Sequence, residues 1–341
     1  ITYDNLMKNN IKVKNTMVIG AGKIGTIRAK IAKELSPRST IYIFDTDFKK
    51  AELLAKEVDG VALKNLSAGL ENKDIKSVVI SVVNKFGKKL AMEAIKNGKN
   101  VLLEKPMGRN FSEAKEIAKV AKKYKKVFKC GFNHRYHPAI LKAHGLCKQK
   151  KIGKLLFIRG AYGHGGRNGY EKEWRASKDL CGGGELLDQG CHLIDLSLWF
   201  FNFEEVKRSE CFANPMFYPM EVDDNAFCIF QTKSGKVAQV HATWTQWKNL
   251  FRFEIYGTKG AIEVNGLGKS YGIETLKLYK RIKPGAPPSI TEIEFKGEDL
   301  SWKLEWKDFL KAIKENKKSM SNENESLAVM RLISDLYRKN K

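Results

Sequence analysis

The sequence predicts an α/β protein in two parts: a doubly wound parallel sheet first, then an α+β domain built on a large, mainly antiparallel sheet. Three observations carry this expectation. A glycine-rich turn joins an apolar strand to a helix soon after Asn15, strands and helices alternate from there to Phe132, and from Val206 to Glu294 short strands separated by turn signals dominate. A chain of 341 residues is too long for one typical core and about right for two. The expected divisions are an extension over 1–14, a first domain over 15–135 and a second over 136–341.

The first element, MVIG, runs into Gly20-Ala21-Gly22-Lys23-Ile24-Gly25, and the helical stretch TIRAKIAKEL follows at once. This is GxGxxG between a strand and a helix, the Rossmann fingerprint. Gly20 permits the tight turn, Gly22 lets the backbone approach a pyrophosphate, Gly25 allows close helix–strand packing, and the helix N-terminus faces the phosphates. The next strand, TIYIFD, ends in Asp45, 25 residues after Gly20 (45 − 20), where a carboxylate binds the adenosine ribose hydroxyls and repels a 2′-phosphate. NAD is therefore expected in preference to NADP.

The alternation continues with a helix over 49–57, a strand over 77–81, a helix over 88–96, the strand NVLLE, a helix over 112–123 and the strand VFKCGF. Ligands of such sheets bind at the carboxyl ends of the strands. Three polar clusters stand at those ends: Ser81 to Asn84, Glu104-Lys105-Pro106 and Asn133-His134-Arg135. Ser81, Asn84, Glu104, Lys105 and Asn133 are thus candidate cofactor contacts. Lys105, set between Glu104 and a proline, is poorly placed to be mere surface charge, with a salt bridge to Glu104 as its structural alternative.

The second part opens with a helix over 138–149 and the strand KLLFIRGAYG, which ends near Tyr162. The polar segment HGGRNGYEKEWRASKDLCGGGE follows and is long for a structureless connection, and long loops are usually functional. Its His164, Arg167, Tyr170, Lys172, Trp174 and Arg175 suit a sugar and a phosphate or carboxylate. The triple glycine Gly182-Gly183-Gly184 then bends the chain into ELLDQGCHLIDLSLWFF, which has helical apolar spacing. On one helix Asp188, His192 four residues on and Asp195 three further share a face. A carboxylate beside an imidazole fixes its tautomer and raises its basicity, as acid/base work near neutral pH requires. A structural His–Asp crosslink explains the same residues.

Strands NAFCIFQT, VAQVHATWTQW, FRFEIYG and AIEVNG come next, with turns at KSGK and TKG, a loop at KPGAPPS and closing helices over 302–315 and 325–338. His241, Trp244 and Trp247 on these strands either line a pocket or pack, and packing is the expectation.

Composition narrows the function classes. No apolar run reaches the roughly 18 to 20 residues that span a bilayer, and ITYDNLMKNNIKVK, in which Met7 is a plausible start, has no hydrophobic signal centre. A cytoplasmic protein without a membrane partner is expected, and 1–14 take no role. The six cysteines show no CxxC or zinc spacing, so reduced thiols and no metal site are expected. The net charge of +24, from 62 basic and 38 acidic residues, lies on helix faces such as KKAELLAKE rather than in any nucleic-acid motif. It reads as a solvated surface whose field favours anionic substrates.

GAGKIG, LLEKPM, GFNHRYHP and GGGELLDQGCHLID, in this order and spacing, resemble the glucose-fructose oxidoreductase / inositol dehydrogenase / MocA (Gfo/Idh/MocA) family of NAD(P)-dependent sugar oxidoreductases, over nearly the whole chain from Lys14. The resemblance implies a sugar dehydrogenase whose catalytic residues are Lys105, Asp188 and His192, with Asn84 and Asn133 at the nicotinamide. It implies a homodimer or homotetramer formed through the C-terminal sheet, and a last helix packed back on the Rossmann domain. The usual TPN segment reads Val82-Val83-Asn84 here, and Gly87 replaces a common histidine. HGGRNGYEKEWRA resembles members acting on nucleotide-linked or surface-polysaccharide sugars. The expected substrate contacts are Lys105, Arg135, Tyr162, His164, Arg167, Trp174, Asp188 and His192. Free sugars or inositols are the alternative substrates, and a non-catalytic NAD- or sugar-sensing regulator is the alternative class.

Overall fold

The computed structural model describes residues 15–340, and the expected extension over 1–14 lies outside them. The chain forms two compact units. The first comprises 15–132 with Trp302–Met330, and the second Asn133–Ser301 with 331–340.

The first unit alternates β1 (Asn15–Ile19), α1 (Lys23–Leu35), β2 (Ile41–Phe44), α2 (Phe48–Glu57), β3 (Val61–Ala62), α3 (Leu66–Glu71), β4 (Ile75–Ile80), α4 (Asn84–Lys96), β5 (Asn100–Leu103), α5 (Phe111–Tyr124) and β6 (Phe128–Cys130). Its six strands run in the order β3-β2-β1-β4-β5-β6 and every pairing is parallel. Sheets of this kind are covered on both faces, which is why β1 and β4 end in the apolar runs Met17-Val18-Ile19 and Val78-Val79-Ile80 and bury Val18, Val79 and Ile80 completely. The strand order reverses beside β1, at the junction with β4, and the glycine turn lies at that switch point. The sequence reading passes over β3 and α3; two residues of strand and a six-residue helix interrupted by Gly69 leave too little periodicity to detect.

The second unit opens with a 3-10 turn (Asn133–Tyr136), α6 (Pro138–Lys148) and β7 (Leu155–Gly163). Two further 3-10 turns (Tyr170–Lys172, Trp174–Ala176), α7 (Lys178–Cys181), α8 (Glu185–Asp188) and α9 (Gly190–Phe200) follow. Then come β8 (Val206–Asn214), β9 (Asn225–Thr232), β10 (Val237–Thr243), β11 (Leu250–Gly257), β12 (Gly260–Asn265), β13 (Glu274–Lys280) and β14 (Ser289–Phe295). The eight strands run β14-β13-β12-β11-β7-β10-β9-β8, and among the described residues only β7 and β10 pair in parallel.

Every residue of α9 is buried. It lies on the face of the sheet where Gly160 of β7 admits Leu193 and where Ala242 of β10 faces Gly190. The opposite face is apolar yet open: Phe212 is 68% exposed, and Phe227 and Ile229 are also uncovered.

The closing helices, α10 (Ser301–Glu315) and α11 (Glu323–Lys339), are amphipathic for a reason that sequence alone does not reveal. Trp306, Phe309 and Leu310 of α10 enter the same core as Ala29, Ile43 and Leu54 of the first unit. Buried Lys129 of β6 fastens this segment through Asp308 at 3.1 Å and the Met320 carbonyl at 2.8 Å. Resemblance packs the last helix back on the Rossmann domain; α10 supplies the core residues Trp306, Phe309 and Leu310 there, and α11 joins that unit with its first residues and the second unit with its last. In the second unit Tyr337 of α11 donates to Asp223 at 2.8 Å.

Half-buried His144 of α6 stacks on Trp199 with ring centroids 3.7 Å apart. Burial, aided by Lys148, pushes its pKa down from 6.5 to about 3. The unfolded chain therefore takes up this proton first, so the stability is complete above pH 6.5 and drains away as the pH falls toward 3. Lowering the pH from 6.5 to 5 should cost up to about 2 kcal/mol at this residue. His144→Phe, which keeps the stack, should flatten that dependence in urea midpoints measured at the two pH values.

Candidate functional site

The glycine turn meets the geometric demands of its sequence. Gly20 has φ +98°, and a Cβ there would overlap the Ser81 carbonyl, while a Cβ on Gly25 would overlap the Gly20 carbonyl. Gly22 differs, because a Cβ on it would meet nothing within 4 Å. That space lies at the N-terminus of α1, whose first N–H groups have no side-chain cap. Together these features fit a dinucleotide pyrophosphate. Ser81 Oγ donates to the Gly20 carbonyl at 3.2 Å and so braces the turn. Asp45 accepts from the Ala21 N–H at 2.7 Å and the Asp47 N–H at 2.9 Å, placing its carboxylate at the end of β2 beside the turn. Lys23 and Ile24 open α1, and Asn84 opens α4. Gly25→Ala should abolish NAD binding, read by NADH fluorescence titration, with the fold monitored by circular dichroism.

At the end of β5, Lys105 is half-buried, and its peptide bond to Pro106 is cis. Glu104, expected among the cofactor contacts, has a framework task instead. Its carboxylate holds Arg28 at 2.6 Å, and Arg28 also reaches buried Glu305 at 2.6 Å while lying 4.5 Å from the Trp302 ring centroid. Burial pushes the Glu305 carboxyl up against the pull of Arg28.

In the second unit the bend at Gly182–Gly184 is organised by a residue that sequence reasoning missed. Buried Asp223 accepts from the Gly184 N–H at 3.0 Å and the Leu186 N–H at 2.8 Å, as a cap would, although it lies far along the chain. A Cβ on Gly184 would overlap the Asp223 backbone. The helix expected to carry Asp188, His192 and Asp195 on one face is interrupted at Gln189, between α8 and α9. Asp188 therefore ends one helix while His192 lies in the first turn of the next.

Their surroundings differ accordingly. The Asp188 side chain is 27% exposed and faces Arg175, with Nε to Oδ2 3.5 Å. His192 is 4% exposed, stacks on His134 with centroids 3.7 Å apart, and has Tyr162 edge-on at 6.2 Å. Tyr271 joins this wall through Gln189, whose Nε2 donates to its hydroxyl at 3.3 Å. Burial raises the Tyr162 phenol well above its ordinary pKa.

Asp195 faces elsewhere. It binds Arg135 through two hydrogen bonds of 2.8 and 2.6 Å, and both side chains are fully buried. Arg135, expected to contact substrate, instead anchors α9, with Trp199 and Phe203 beside its guanidinium. Asn133, expected at the nicotinamide, donates to Ser301 Oγ at 3.0 Å and faces His134 with its carbonyl.

The polar segment is internally wired. Arg167 makes a two-point ion pair with Glu173 at 2.6 Å, and Arg175 lies over Trp174 at 4.4 Å. His164 Nδ1 accepts from the Gly166 N–H at 2.9 Å, which puts its ring proton on Nε2, and burial lowers its pKa against the opposing pull of Asp188. Tyr162, Arg175, Asp188 and His192 thus form the polar wall of this unit, while Arg167 is committed to Glu173. His241 stacks on Phe227 at 3.9 Å on the open sheet face, buried Trp244 packs on Tyr170, and Trp247 stands exposed beside Phe217. Sequence reasoning places His134 in a polar cluster but gives it no role, because its ring pairing depends on tertiary packing. No helix among the described residues is long and apolar enough to cross a membrane, and no cluster of metal-ligating side chains occurs among them.

Residues 14–132 match the model of an oxidoreductase family with an NAD-binding Rossmann fold, and residues 140–263 match the GFO/IDH/MocA C-terminal domain. Among curated relatives, levoglucosan dehydrogenase of Pseudarthrobacter phenanthrenivorans is 27% identical over 221 residues, 58% of this chain. Trans-1,2-dihydrobenzene-1,2-diol dehydrogenase of Xenopus tropicalis is 28% identical over 194 residues, 57% of this chain. The chain matches 57% of the length of each of these relatives. Levoglucosan dehydrogenase in complex with NADH and L-sorbose has the same fold at a TM-score of 0.86 and 20% identity, covering 96% of this chain and 97% of that one. The GenD2 protein of gentamicin A biosynthesis in complex with NAD gives a TM-score of 0.81 at 21% identity, covering 98% and 95%.

Proposed function

Since the chain belongs to the GFO/IDH/MocA oxidoreductase family, we propose that it is a dehydrogenase that transfers hydride between the C4 of NAD and a secondary alcohol of a sugar. Bound NAD supplies the hydride acceptor. In the oxidative direction His192 takes the hydroxyl proton, Asp188 orients the imidazole and balances its charge, and Lys105 hydrogen-bonds the same oxygen as negative charge develops on it. The reverse reaction returns the proton from His192.

The observation that carries this reading is that a chain with a dinucleotide turn also holds Lys105, Asp188 and a His192 only 4% exposed, groups that proton and hydride transfer use and a non-catalytic sensor does not require. The preferred substrate is a nucleotide-linked or surface-polysaccharide sugar, supported by the net charge of +24 and by Arg175 next to Asp188. The second reading, free sugars or diols, is favoured by the names of the curated relatives. NADH formation, followed at 340 nm with UDP-sugars, glucose, levoglucosan and myo-inositol, separates them. Turnover of myo-inositol but no UDP-sugar would overturn the nucleotide-sugar preference, and NAD binding without turnover of any sugar would favour the sensor.

We further propose a homo-oligomer formed through the open face of the eight-stranded sheet, supported by uncovered Phe212, Phe227 and Ile229. Phe212→Lys should lower the mass measured by light scattering, and an unchanged mass would rule out this face.

A further inference from the structure

Resting on the dehydrogenase reading, we infer that Asn133 and His134 are positioning residues for His192, fixing the plane of the catalytic imidazole and limiting the stacked pair of rings to one positive charge. The inference starts from Ser301. Asn133 Nδ2 donates to Ser301 Oγ at 3.0 Å, which orients the amide so that its carbonyl oxygen faces His134 Nδ1 at 3.2 Å. A carbonyl oxygen only accepts, so His134 carries a proton on Nδ1.

That ring is confined. It is 5% exposed, with His137, Tyr162 and Phe251 at centroid distances of 5.5, 5.0 and 5.8 Å. Its face lies on His192, centroids 3.7 Å apart and planes 23° from parallel. His192, itself 4% exposed, thus has a rigid aromatic plate on one side.

Charge gives the stack its second property. Two imidazolium rings at this separation, away from water, repel strongly, so the proton taken by His192 during turnover requires a neutral His134. The other titratable groups in this unit leave that role to His134. Tyr162 from β7 and Tyr271 are phenols held protonated by burial. His137 is paired with Glu274 at 3.1 Å and Arg135 with Asp195 at 2.6 Å. Glu185 and Asp188 of α8 act on the neighbouring Tyr162 phenol, and negative charge there does not remove the repulsion between two positive rings.

The test is a pH titration of the whole protein labelled with 15N in its imidazoles, of which there are six. In the wild type, His134 and His192 should take up protons in two steps at least about one pH unit apart, each ring responding to both steps. In His134→Phe, which keeps the aromatic plate, His192 should titrate in one step. The pH profile of sugar oxidation by this variant should have an acidic limb that falls with a single proton. Asn133→Ala, which keeps both rings, should shift the Nδ1 resonance of His134 toward a mixture of tautomers. Independent one-step titration of the two rings in the wild type, or no titration across the folded range, would overturn the inference, as would an equal loss of kcat at every pH in His134→Phe. The titration needs no substrate, so coupled rings in a protein that oxidises no sugar would overturn the dehydrogenase reading and not the coupling.

Discussion

Replacing Lys105 by Met lowers turnover at least about a hundredfold and leaves NAD affinity nearly unchanged, as the loss of a donor aimed at developing negative charge, on the order of 3 kcal/mol, requires. Methionine matches the length of lysine but cannot donate, so the variant separates charge stabilisation from packing at the end of β5. Steady-state rates with the best substrate and an NADH fluorescence titration on the same preparation read the two effects. Because Glu104 already holds Arg28 at 2.6 Å, the framework on that side of the residue has its own counter-charge. The loss should therefore appear in kcat and kcat/KM together, with thermal stability unaltered. Turnover near the wild-type value would remove the lysine from the mechanism.

The second large effect is on stability. Asp195→Ala strands the Arg135 guanidinium in a fully buried position and should cost about 3–5 kcal/mol. The double replacement Arg135→Met with Asp195→Leu removes both charges and fills the space with apolar atoms, so it should recover most of that loss. Denaturant midpoints of the wild type, the single variant and the double variant measure this directly. If the double variant is no more stable than the single one, the ion pair is needed for reasons beyond charge balance, such as fixing the rotation of α9 about its axis and hence the direction of His192.

The parts of this protein that were legible in its sequence are those set by neighbours along the chain. Gly20 and Gly25 are dictated by the backbone of their own turn and the strand beside it, and β9 follows its alternating pattern from Asn225 to Thr232 without correction. Lys105, Asp188 and His192 stand out in the sequence by motif, although the break at Gln189 removes the shared helix face that the spacing of Asp188 and His192 suggests. The sequence reading misplaced Arg135 and Asp195 because their partnership spans 60 residues, and either residue alone looks like a surface or site charge. Asp223 is the same case: it acts as the cap of α8 from 37 residues away, where no local rule looks. The break at Gln189 escaped notice because an apolar pattern continues across it, although the peptide hydrogen bonds do not continue as one helix.

Residues 302–330 complete the first unit, and their Trp306, Phe309 and Leu310 occupy its core. During synthesis the nucleotide-binding half, although encoded first, therefore leaves the ribosome with a hole in its interior and buried Lys129 without Asp308. The second unit's strands all emerge before that hole is filled. Both units thus wait on α10 and α11 for completion, and a nascent chain stalled after β14 would present an apolar groove beside its glycine turn to the folding machinery of the cell.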